Sequence, residues 1–207
     1  MGSFFSPDSP FNTFMTLVFD LVVLNVLWIV CCIPVVTIGA STTALYTVML
    51  KRVRNEEGYV LRGFFSAFKA NFTETLPLTF LMLLLAALLS TDLYITGRWE
   101  GLPGSLMYGL CLAAIFVAVG MYSYIWPLVA RFRNTFRGTL NNAWRMAVGY
   151  LPKTVALIVL NGLPFALLLF ATSLFARIFW FYLAVGGSLT AYLASRLINP
   201  IFDNLIS

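Results

Sequence analysis

The polar side chains able to do chemistry at membrane depth crowd into the first quarter of this 207-residue chain. Asp20 and Asn25 lie in the first apolar run. Thr37, Ser41, Thr42, Thr43 and Tyr46 follow, with Gly39 among them, on the small-residue segment from Pro34 to Asn55. A carboxylate, an amide and a file of hydroxyls inside a membrane could line a path for a proton or a small polar solute, because such groups are costly there unless they face a substrate or one another. The same residue types also serve as packing, since small side chains let backbones approach and hydroxyls bond across the contact. The Pro34–Asn55 segment therefore reads as the inner helix of a bundle. Asp20 reads either as an interfacial acid paired with a nearby cation or as a proton or substrate site, and Asn25 as a cross-helix hydrogen bonder.

Other chemistry is thinly provided. The chain has no His, which removes imidazole bases, imidazole metal ligands and every Ser-His or Cys-His nucleophile. Cys31, Cys32 and Cys111 sit in apolar runs as small hydrophobes and form no metal-binding spacing. No Gly-x-Ser-x-Gly elbow occurs, and Asp20 and Asp92 fall toward opposite ends of their spans, too far apart for an aspartyl dyad. The expectation is a non-enzymatic protein with no catalytic residues, no cofactor and no metal.

The elements that position these residues are helices. With 60% hydrophobic and 10% charged residues, against about a quarter charged in a soluble domain, the chain reads as all-α, a polytopic helical bundle forming one membrane domain over residues 1–207. About six spans are expected, at 14–33, 35–50, 78–96, 105–130, 151–172 and 179–198, with cytoplasmic loops at 51–77 and 131–150. The second is only sixteen residues, roughly 24 Å of helix against roughly 30 Å of hydrocarbon. In the first loop Phe64, Phe68 and Phe72 recur every four residues beside Lys69, the spacing of an amphipathic helix in the interface, which Pro77 is expected to end.

Cations decide orientation. Arg52, Arg54 and Lys69 belong to the first loop and Arg131, Arg133 and Arg145 to the second, whereas Arg98 and Arg177 fall on the opposite side. The positive-inside rule puts the loops and both termini in the cytoplasm. Because the net charge of +5 lies between apolar spans and not along a soluble face, the partner it implies is the lipid bilayer and no nucleic acid. The first fifteen residues carry no Lys or Arg, so the first span is expected to stay as an anchor. Met1-Gly2 with Ser6 fits a myristoylation pattern loosely, and one acyl chain would add little to six spans.

The two loops resemble each other. Arg52-Val-Arg-Asn55, Gly63, Ala67-Phe-Lys69 and Leu76-Pro-Leu-Thr79 align with Arg131-Phe-Arg-Asn134, Gly138, Ala143-Trp-Arg145 and Leu151-Pro-Lys-Thr154. The helices entering them share Gly39-Ala-Ser, Gly120-Met-Tyr-Ser and, in a third copy, Gly186-Gly-Ser, which reads as a tandem array of three helical hairpins. An amphipathic segment that runs from a Gly to a Leu-Pro entering a span is also similar to the coupling loop of ABC importer permeases, although the Glu-Ala-Ala triplet of that loop is absent. Phe64, Phe68, Lys69, Phe72, Trp144 and the arginines at 52, 54, 131, 133 and 145 are thus candidate partner-docking residues.

Asp20, Leu24-Asn25, Trp28, the block Pro34-Val-Val-Thr-Ile-Gly-Ala-Ser-Thr-Thr-Ala-Leu-Tyr46, Phe64-Phe65, Phe68-Lys69, Asn71-Phe72, Ala130-Arg-Phe, Leu151-Pro-Lys-Thr154 and Asn199 resemble the YesL-like family of bacterial integral membrane proteins, a family of unknown function. The resemblance implies the plasma membrane of a Gram-positive-type cell and a link to carbohydrate uptake and ABC importers. It carries over no catalytic or binding residue. Two functions are expected on these grounds: an accessory or regulatory component that touches an ABC importer permease or ATPase through the basic loops, and, as the alternative, a small transporter or channel using the Asp20–Tyr46 polar residues.

Overall fold

A computed structural model describes residues 10–56 and 58–206; the loose acylation pattern at Met1-Gly2 lies outside them. All regular structure in the described residues is helical, in the order α1 (Pro10–Cys32), a 3-10 turn (Val35–Thr37), α2 (Ile38–Val53), α3 (Val60–Thr96), α4 (Leu102–Arg131), α5 (Phe136–Gly149), α6 (Leu151–Phe170), α7 (Thr172–Phe181), a π-helical turn (Tyr182–Gly186) and α8 (Gly187–Ile206).

Pro34 separates α1 from α2, as its missing N–H and its restriction on the preceding residue require. The carbonyls left over at the end of α1 are not abandoned: Thr37 Oγ1 meets the Cys31 carbonyl at 2.6 Å and the Pro34 carbonyl at 2.7 Å. α2 then runs through the middle of the bundle, with every residue from Gly39 to Tyr46 buried, along with Met49 and Leu50. It packs against α1, α3, α4 and α8. Burial on several sides at once explains why its residues are small: a Leu-rich helix could not bring four neighbours this close.

Five stretches are long and apolar enough to cross a membrane: Phe11–Cys32, Val60–Thr96, Leu102–Arg131, Leu151–Leu168 and Thr172–Asn204. Apolar side chains on their outer surfaces, among them Phe19, Val30, Phe80, Leu110 and Phe165, stand exposed, an arrangement that suits lipid and not water. These features point to a multi-pass membrane protein. α2, with 16 residues, is not one of the five, since a perpendicular crossing takes about 20.

Two boundaries differ from the sequence expectation. Pro77 does not end an interfacial helix; it lies inside α3, which continues unbroken for 37 residues. A proline removes one backbone bond and crowds the previous turn, but here side chains stitch the turns on both sides. Asn71 Nδ2 donates to the Ala67 carbonyl at 2.8 Å, Thr75 Oγ1 to the Asn71 carbonyl at 2.9 Å, and Thr79 Oγ1 to the Thr75 carbonyl at 2.8 Å. The face carrying Phe64 packs into the core with Phe64 fully buried, while Phe65 and Lys69 on the other face stay exposed. The expected spans 151–172 and 179–198 are likewise redrawn: α6 ends at Phe170, Ala171 leaves helical geometry, and α7, the π-turn and α8 continue as one stretch.

Candidate functional site

Three ion pairs gather at the cation-rich end of the bundle. Asp20 meets Arg52 at 3.3 Å, tying α1 to the last turn of α2. Arg54 holds Glu56 with two hydrogen bonds, at 2.6 and 3.0 Å. Arg131 at the end of α4 meets Asp203 of α8 at 3.3 Å, and Asn199 Nδ2 donates to the other oxygen of the same carboxylate at 2.9 Å. The hydrogen bonds from Arg54 hold the Glu56 carboxyl below the usual range, outweighing a small opposing effect of burial. Arg52, Arg54 and Arg131 are thus engaged within the chain.

The hydroxyl residues of α2 do not form a single file. Ser41 Oγ donates to the Trp28 carbonyl at 3.1 Å, and Thr42 Oγ1 accepts from Trp28 Nε1 at 3.2 Å, so both fasten α2 to α1. Thr43 is fully buried with no partner for its hydroxyl. Gly39 is pressed against α3 and α4: a Cβ there would collide with Thr79 Oγ1 and come within 2.7 Å of the Trp126 ring. Of the residues singled out in the sequence, Thr42 and Tyr46 border a cavity on the far side of α2. Asp20 and Thr37 are elsewhere, at the ion pair and the 3-10 turn.

Asn25 has a different task. Its Nδ2 donates to the Leu183 carbonyl at 2.7 Å and its Oδ1 accepts from the Ser188 N–H at 2.9 Å. One amide therefore grips the π-turn from within its span and from just beyond it. A π-turn shifts hydrogen bonding from i+4 to i+5 and leaves backbone groups at its ends without regular partners, and a side-chain amide supplies both a donor and an acceptor. Ser188 Oγ completes the junction with a 2.7 Å bond to the Leu21 carbonyl. Gly187 is needed beside it, because a Cβ would meet the Trp28 ring at 2.6 Å.

Thr154 stands out in the sequence only as the end of the Leu151-Pro-Lys-Thr154 repeat, not as a site. Thr154 Oγ1 lies 2.9 Å from the Ala147 carbonyl, 3.1 Å from the Tyr150 carbonyl and 3.2 Å from Tyr124 Oη, so one hydroxyl joins α5, α6 and α4. Asn161, which bonds Ser123 at 3.3 Å, went unmarked too. A lone hydroxyl or amide in an apolar run is the only signal either residue gives.

α5 is the clearest surface element. Thr135 caps its start by accepting the Gly138 N–H at 3.2 Å, and Thr139, Ala143, Met146 and Ala147 form its buried side. This i, i+4, i+7, i+8 pattern is that of a helix with one covered face. Trp144 and Val148 stand about half exposed on the other face, with Arg137, Asn141 and Arg145 exposed beside them and Arg133 exposed just before. Among the described residues, none of Arg133, Arg137 and Arg145 forms an ion pair. Phe64 is sealed in the core and cannot serve as a docking residue; Phe68 and Phe72 are half-buried in the ring stack beginning at Phe64, and Lys69 is exposed. Among the described residues no three His, Cys, Asp or Glu side chains come together to hold a metal.

Residues 21–93 match the family described as "Protein of unknown function, DUF624". That stretch includes Asn25, all of α2 and most of α3. No curated protein and no solved structure matches the chain.

Proposed function

We propose that the protein is a non-enzymatic accessory or regulatory membrane component that works through the outer face of α5. The observation that carries this reading is the division of the cations. Arg52, Arg54 and Arg131 are used up in intramolecular pairs, whereas Arg137 and Arg145 on α5 and Arg133 just before it are exposed, as Trp144 is, with no acidic partner of their own among the described residues. Aromatic and arginine side chains on one solvent-facing patch are what interface centres are enriched in. In this reading α2 is a sixth crossing, the spans form three hairpins, and the α5 side faces the cytoplasm of a plasma membrane, in keeping with the cation distribution. The YesL-like resemblance supplies the link to carbohydrate uptake and names the partner: a permease or ATPase subunit of an ABC importer.

A photo-crosslinking amino acid placed at position 144 in native membranes tests this. The expected result is a crosslink to an importer subunit, identified by mass spectrometry, that disappears when Arg133, Arg137 and Arg145 are changed together to Glu. Crosslinks to lipid or background proteins alone would reject the reading.

A further inference from the structure

The cavity behind α2 has a volume of about 510 Å³ and lies between α1, α2, α4, α6 and the π-turn–α8 junction. This is within the range of about 300–1,000 Å³ of small-molecule sites. Its walls combine polar groups from Thr42, Tyr46, Ser123 and Asn161 with the ring systems of Trp28 and Trp126. No Asp, Glu, Lys or Arg lines it. A charged ligand would therefore lose its hydration and find no counter-charge, which is disfavoured at membrane depth.

Two donors border this space without an acceptor, the hydroxyls of Tyr46 and Thr42. Trp126 contributes only its ring: it is 1% exposed, and its indole N–H is buried beside the Tyr122 hydroxyl. Tyr46 is 5% exposed, and among the described residues its hydroxyl makes no hydrogen bond. The Thr42 hydroxyl accepts from Trp28, which leaves its own hydrogen free. A buried donor left without a partner is costly, so two beside one neutral cavity call for acceptor oxygens. Leu45 and Phe165 complete the wall on its apolar side.

We propose that this cavity is a binding site for an uncharged, oxygen-bearing head group, whose hydroxyl, ester or ether oxygens accept from Tyr46 and Thr42 and whose carbon skeleton rests on Leu45 and Phe165. The head is either lipid-borne or free in water; the chemistry of recognition is the same. No residue of α5 lines the site, and a failure of either reading leaves the other standing.

The test uses full-length protein in phosphatidylcholine nanodiscs with Trp99, Trp144 and Trp180 replaced by Phe, so that emission comes from Trp28 and Trp126. Three probes are titrated: mono-oleoylglycerol, free glycerol, and mono-oleoyl phosphatidic acid, which adds a charged phosphate to the first. The expected result is a saturable emission change with mono-oleoylglycerol or with glycerol, which tells a lipid-borne head from a free one, and binding at least about tenfold weaker for the phosphate analogue, since a tenfold change is only about 1.4 kcal/mol. Tyr46→Phe should raise the half-saturating concentration about fivefold, the loss of one hydrogen bond of about 1 kcal/mol. Thr42→Val should act in the same direction, and it serves as the readout if Tyr46→Phe does not fold. Saturation by neither neutral probe, equal binding of the phosphate analogue, or unchanged binding in the folded variants would overturn the proposal.

Discussion

Gly39 of α2 and Thr79 of α3 are in direct contact, with the glycine leaving no room for a Cβ beside the Thr79 hydroxyl. The counterpart pair repeats the arrangement more loosely: a Cβ on Gly120 of α4 would come within 3.0 Å of Thr154 Cγ2 on α6. Gly39→Ala is expected to destabilise the protein by about 1–3 kcal/mol, the usual cost of forcing an extra carbon into a packed interior. Gly120→Ala should cost less, because a methyl group can give by a few tenths of an ångström. Thr79→Ala should rescue Gly39→Ala only in part, since the Trp126 ring remains 2.7 Å from the added carbon. Unfolding by denaturing detergent ranks the three variants.

Both contacts fall on residues that the sequence alignment pairs, Gly39 with Gly120 and Thr79 with Thr154. Small residues and hydroxyls on one segment were also enough to mark α2 as an inner helix, because no other composition tolerates burial on so many sides. What the sequence could not convey is where backbone rules are overridden. Pro77 reads as a helix end, yet Asn71, Thr75 and Thr79 carry the helix past it. No hydrophobic period reports a π-turn, and Asn25 finds its partners 158 and 163 residues away.

Asn25→Ala would strip both contacts from the π-turn. The buried Ser188 N–H then loses its partner at about 1–3 kcal/mol, and the part-buried Leu183 carbonyl loses its own at less, so the expected loss is about 2–3 kcal/mol. Hydrogen exchange at the Ser188 amide should accelerate ahead of exchange elsewhere in α8. If that amide stays as protected as in the parent, Asn25 is not what holds the turn.

The Asp20–Arg52 pair is partly exposed, with side-chain accessibilities of 14% and 35%. Pairs near the surface are worth up to about 1 kcal/mol. A double-mutant cycle with Asp20→Asn and Arg52→Gln should therefore give a coupling of about 0.5–1 kcal/mol, and the charge swap Asp20→Arg with Arg52→Asp should recover part of it. Zero coupling would leave Asp20 free for another role.

Glu56 gives a pH signature. Its carboxyl is depressed in the folded chain by Arg54, so its contribution to stability is present above its unfolded pKa and is lost as the pH falls through the lower folded value. Arg54→Gln should raise the Glu56 titration midpoint toward that of an ordinary carboxylate, as seen by NMR of a labelled Glu56 carboxyl. The effect on global stability should be small, because the Glu56 side chain is 48% exposed and water screens the pair.

Thr154 offers the sharpest separation between packing and tethering. Tyr124→Phe removes only the 3.2 Å contact between Tyr124 Oη and Thr154, and a typical hydrogen bond is worth about 1 kcal/mol. Thr154→Val keeps the shape of the side chain but also releases the Ala147 carbonyl of α5, so it should cost more, about 1–3 kcal/mol. The two variants should differ in place as well as in size: amide exchange in α5 should quicken in Thr154→Val and not in Tyr124→Phe. If α5 is also the docking element, Thr154→Val should weaken the position-144 crosslink while all three arginines remain, a loss that charge alone would not produce.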